Sequence, residues 1–78
     1  MKPCHYFEAN FNTQFNEYKF DEILPCNAAL EIDTVKGTYY RHIFEYPDAM
    51  FYVYCNKKLS GQEEQKLFQD LLTHSPQG

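Results

Sequence analysis

The alternation of apolar and polar positions is most sustained over residues 39–55. In Tyr39-Tyr40-Arg41-His42-Ile43-Phe44-Glu45-Tyr46, one parity carries Tyr40, His42, Phe44 and Tyr46, and the other carries Tyr39, Arg41, Ile43 and Glu45. A period of two is the mark of a strand with two different faces. Here both faces hold aromatic or large side chains, so a core on one side leaves an aromatic surface on the other. Ala49-Met50-Phe51-Tyr52-Val53-Tyr54-Cys55 supplies the second strand of a hairpin. Pro47 suits the second position of a type I turn at Tyr46-Pro47-Asp48-Ala49, because its φ is already fixed there. Pairing that starts with Tyr46 opposite Ala49 puts His42 opposite Val53 and Tyr40 opposite Cys55. His42 and Cys55 then share a face as diagonal neighbours, about 7–8 Å apart.

Other elements follow from the same pattern. Residues 4–11 read as a strand with His5, Phe7, Ala9 and Phe11 on one face and Tyr6, Glu8 and Asn10 on the other. Residues 27–34 read as a strand with Ala28, Leu30 and Ile32 inward and Glu31 and Asp33 outward. Asp33-Thr34-Val35-Lys36-Gly37 is a turn in which Gly37 can supply the left-handed position of a G1 bulge. The strands on either side of it and the third at 49–55 make an antiparallel meander.

Residues 13–24 carry two patterns at once. Thr13 can cap a short helix with Phe15, Tyr18, Ile23 and Leu24 roughly on one side. Tyr18, Phe20, Glu22 and Leu24 also alternate as a strand would, and the asparagines disfavour a helix. The reading adopted is a helix or helical turn across 14–23, ended by Pro25. The C-terminal helix has a clearer start, because Ser60-Gly61-Gln62-Glu63 forms a capping box. Glu63 and Glu64 suit the positive end of the helix dipole and His74 the negative end. Leu67, Phe68, Leu71 and Leu72 form one apolar stripe, and Gln65, Gln69 and Asp70 lie opposite. Ser75-Pro76-Gln77-Gly78 reads as a frayed tail. The expected fold is a single α+β domain over residues 1–78: about four mainly antiparallel strands with the C-terminal helix on one face. The second face is expected to be open or partly covered by 13–24.

Composition narrows what such a domain can do. At 78 residues, the chain buries only about 60–65% of its unfolded surface. Apolar and aromatic residues make up 44% of it, enough to build a core. Seven Tyr and seven Phe favour recognition surfaces, since Tyr offers large contact area with a polar tip. A net charge of −4 argues against a general duplex-DNA binder, which needs a basic footprint. No stretch approaches the ~20 apolar residues of a membrane helix. The N-terminus has no apolar signal region, so a cytoplasmic location is expected. Cys4, Cys26 and Cys55 are odd in number and widely spaced, unlike a disulfide framework.

Little in the chain supports catalysis. Cys4, His5, Cys26, His42, Cys55 and His74 lack the short paired spacing of a zinc site. No metal or other cofactor is expected. Cys55, beside Lys57 and Lys58, is the candidate nucleophile, but the His42 separation is too long for a direct hydrogen bond. Glu45 and Asp48 flank a turn, and Asp21 and Glu22 precede a proline; such carboxylates are usually solvated or capping groups. Gly37, Gly61 and Gly78 form no phosphate loop. The chain is therefore read as non-enzymatic. The expected function is a small protein-binding module, a regulator or inhibitor of a larger complex, docking or homodimerising through the aromatic sheet face. Its expected contacts are Tyr39, Arg41, Phe51, Tyr52 and Tyr54, a set that spans both parities. The alternative is single-stranded nucleic acid, with Tyr39, Tyr52 and Tyr54 stacking on bases and Lys36, Arg41, Lys57 and Lys58 on phosphates.

Overall fold

The computed structural model describes residues 2–24 and 27–74, except for the side chain of His74. Five strands and one helix follow in the order β1 (Cys4–Asn12), β2 (Glu17–Glu22), β3 (Glu31–Thr34), β4 (Gly37–Tyr46), β5 (Ala49–Cys55) and α1 (Gly61–His74). They make one mixed sheet in the order β2-β1-β5-β4-β3. The α+β class and the C-terminal helix agree with the sequence pattern. The sheet differs in having a fifth strand and one parallel join, between β1 and β5.

The fifth strand is β2, where a helix or helical turn was expected across 14–23. Asn12 and the left-handed Asn16 build the turn that precedes β2. The Asn12 side-chain oxygen accepts hydrogen bonds from the backbone N–H groups of Gln14 at 2.9 Å and Phe15 at 3.3 Å. Bonds of this kind start a helical turn as readily as a reverse turn. Asn16, at φ 53°, completes the reversal. Tyr18 and Phe20 then point the same way and are buried. The outward side of the β2 edge is partly closed by the helix, since the Tyr18 N–H donates to Asp70 Oδ2 at 3.0 Å.

The third strand is shorter than the sequence suggests. It begins at Glu31, because Asn27 and Ala28 have φ values of 58° and 53°. That conformation interrupts an extended run. Ile32 is half-buried as expected, but Leu30 is 74% exposed rather than inward. Gly37 has φ 125° at the turn, beyond the reach of most side chains. The β4–β5 register matches the sequence argument, with His42 opposite Val53 and Tyr40 opposite Cys55.

The helix begins as its capping box requires. The Ser60 N–H donates to Glu63 Oε1 at 2.9 Å, and the Glu63 N–H donates to Ser60 Oγ at 3.3 Å. Leu67 and Leu71 enter the core with Ala9, Tyr18, Phe20, Val53 and Cys55. Phe68 stacks on Phe44, with ring centroids 4.6 Å apart. Leu72, expected in the same stripe, is 46% exposed at its margin. Pro25, Cys26 and the tail 75–78 lie outside the described residues, as does the His74 side chain.

Candidate functional site

The registers sort the side chains of the sheet into two faces. Strand residues alternate between faces, and directly paired residues share one. The helix covers the face of Phe7, Ala9, Phe20, His42, Phe44, Phe51 and Val53. The opposite face carries Tyr6, Glu8 and Asn10 from β1, Tyr52 and Tyr54 from β5, and Tyr39, Arg41 and Ile43 from β4.

That opposite face is divided. β2 and β3 lie at opposite edges of the sheet, and a link joins them. Its described residues 27–30 lie over one half of the face. The Tyr54 hydroxyl donates to the Ala29 carbonyl at 2.6 Å, and the Arg41 guanidinium donates to the Ala28 carbonyl. Below the link, the Tyr39 hydroxyl donates to Asn10 Oδ1 at 2.6 Å. Tyr39 and Tyr54 are consequently 1% and 0% exposed. The cover comes from this link and not from 13–24, which is occupied by β2 and its turn. Burial pushes the Tyr39 phenol up, and the Glu8 carboxylate adds to the shift.

The other half of the face stays accessible. The Ile23 N–H donates to the Tyr6 carbonyl at 3.0 Å, Tyr6 pairs with Tyr52, and Tyr52 pairs with Ile43. These four residues form an apolar row across β1, β5 and β4 and the segment after β2. The Tyr6 and Tyr52 rings stack with centroids 4.9 Å apart and planes at 24°. Tyr6, Ile23 and Tyr52 are half-buried and Ile43 is 43% exposed. Met50 and the exposed Cys4 pair beside the row.

The five expected contact residues therefore separate. Phe51 lies on the helix face, against Phe7 and Phe44. Tyr39 and Tyr54 are enclosed on the opposite face, which corrects the expectation that they form part of a solvent-facing surface. Arg41 is half-buried and committed to Ala28, leaving Tyr52 as the member of the set in the accessible row. Tyr6, Ile23 and Ile43 were missed. The hairpin register could have paired Ile43 with Tyr52, but Tyr6 joins them through the parallel β1–β5 pairing, for which the sequence holds no local signal.

The candidate groups for other chemistries are also placed. Cys55 is buried at 1% exposure, and desolvation pushes its thiol up despite backbone N–H groups and Lys57 nearby. A thiol held protonated is a poor nucleophile. A shallow cleft of about 420 Å³, lined by Phe11, Tyr18, Cys55 and Lys57 among others, opens beside it. His42 is 6% exposed, with Nδ1 2.9 Å from Glu64 Oε2 on the helix. Its Nε2 is buried without a hydrogen-bond partner among the described residues. No cluster of three or more metal-ligating side chains occurs among the described residues. The basic groups considered for phosphate contacts are engaged within the molecule. Lys36 bonds Glu8 at 3.3 Å, Lys57 bonds Glu63 at 2.9 Å, and Lys58 lies 5.5 Å from the Tyr40 ring centroid. No described helix is long and apolar enough to cross a membrane. No family model matches the chain, and no curated protein or solved structure matches it significantly.

Proposed function

We propose that this protein is a small protein-binding module, a regulator or inhibitor of a larger complex, that docks through the row of Ile23, Tyr6, Tyr52 and Ile43. The observation that carries this reading is the Tyr6–Tyr52 stack, half-buried at the centre of the sheet face opposite the helix. Tyrosine is over-represented among the residues that dominate binding energy, and a rigid stack loses little entropy when a partner covers it. The flanking isoleucines extend the row to about 14 Å across three strand spacings. The same surface would serve a second copy of the chain as a homodimer contact.

Capture from the native host with wild-type and Tyr52→Ala protein tests the reading. A stoichiometric protein that the variant binds more weakly by at least ~1 kcal/mol, with the fold intact by amide dispersion, is the expected result. A partner that binds both proteins equally would sink it. Nuclease-sensitive absorbance at 260 nm without a stoichiometric protein would instead favour single-stranded nucleic acid and make the Tyr6–Tyr52 stack the base platform.

A further inference from the structure

The edge strand β3 is shorter than its neighbour β4, and the difference exposes backbone. β3 pairs with β4 over residues 37–40 only, and one further bond runs from the Arg41 N–H to the Leu30 carbonyl. That bond shows that the odd-numbered residues of β4 direct their backbone groups away from β5. Ile43 and Glu45 therefore aim their N–H and C=O groups outward, and no described residue pairs with them. Chain that could have covered them leaves the edge at Leu30, where 27–30 turn over the sheet face toward Tyr54 and Arg41. A strand edge with unpaired backbone groups is the template for strand addition. This one adjoins Ile43, the end of the accessible row.

We infer that residues 43–46 of β4 take up an extended, basic segment of the partner protein as a sixth strand; the inference rests on the docking function proposed above and assigns its geometry. The charge around the edge selects the segment. Glu31, Glu45 and Asp48 are exposed beside it. Lys2 is engaged with Glu45, and the Arg41 guanidinium is turned to Ala28. A Lys or Arg on the incoming strand opposite Glu45 shares that carboxylate with Lys2 in a cross-strand pair of opposite charge. Two positions along on the same face, an apolar residue opposite Ile43 extends the row by one strand. On the other face, alternate residues of the segment meet the half-buried Phe44 and Tyr46.

Displayed random peptides of about ten residues, the upper end of an ordinary strand length, are the probe. Selection on the folded protein is expected to enrich peptides with alternating apolar positions and at least one Lys or Arg. A synthetic copy of the most enriched peptide should slow amide exchange at Ile43 and Glu45. Glu45→Pro deletes one outward N–H and should weaken binding at least tenfold. Proline is tolerated on a strand edge, and a second route covers the case in which the variant fails to fold. N-methylation of alternate peptide residues should abolish binding in one register and spare it in the other. Binding indifferent to Glu45→Pro and to N-methylation, yet lost in Tyr52→Ala, overturns strand addition and leaves face docking standing. Binding lost in Glu45→Pro but unchanged in Tyr52→Ala keeps the edge and removes the row from the proposed function. Selection without an enriched pattern, or a dimer of this chain that Glu45→Pro abolishes, overturns the assigned occupant.

Discussion

Ala28 shows how a single residue sets the limits of the covered face. Its φ of 53° places Cβ against the following carbonyl, a conformation that costs an alanine about 1–2 kcal/mol. The cost is tolerated because the carbonyls of Ala28 and Ala29 hold Arg41 and the Tyr54 hydroxyl. Ala28→Gly should therefore raise stability by about 0.5–1 kcal/mol, the relief exceeding glycine's greater freedom when unfolded. Urea unfolding midpoints of the two proteins check this, and a lower midpoint for the glycine variant would contradict it. At this scale the sequence was legible where a turn fixes the geometry. Pro47 and its neighbours determine that His42 meets Val53 and that Tyr40 meets Cys55. The enclosure of Tyr39 and Tyr54 was not legible, because it depends on the path of a distant link, and alternation cannot say which of two apolar faces receives a cover.

Among the elements, α1 could be read residue by residue because its start is written in side chains that bond to its own backbone. The Ser60 backbone N–H, followed by the Lys57 ammonium, holds the Glu63 carboxyl below its ordinary value. A carboxylate favoured in this way stabilises the fold fully above the unfolded value of about 4.3 and loses that contribution as pH falls through its lower folded value. Between about pH 6 and 3, wild-type stability should fall more steeply than that of Glu63→Gln, which keeps an oxygen for Ser60 but does not titrate. Parallel pH profiles from chemical denaturation would show it, and identical slopes would remove Glu63 as a contributor. β2 was harder to read, because Phe15, Tyr18, Ile23 and Leu24 imitate a helical stripe. The competing alternation of Tyr18 and Phe20 won: it puts both rings beneath the helix, whereas Asn12 turns the preceding backbone. Phe15 and Leu24, two members of the imitated stripe, are 64% and 87% exposed.

For the molecule as a whole, the meander of β3, β4 and β5 is local in sequence, as is the β1–β2 hairpin. The parallel pairing of β1 with β5 joins them and brings Tyr6 to Tyr52. No turn residue or short spacing announces a contact between segments so far apart, which explains why the class was legible and the strand order was not. Neither part is expected to persist alone, since a two-stranded hairpin is marginal in water and the meander's helix packs also on β2. Refolding should therefore be a single phase slower than that of a helical bundle of similar size, with amide protection in β1 and β5 rising together. Early protection confined to β1 and β2 in pulsed exchange would argue against that order. The same join bears on synthesis at the ribosome. β1 cannot find its central neighbour until the chain has been made through β5, so during that interval its flank away from β2 is open to any other extended chain in reach.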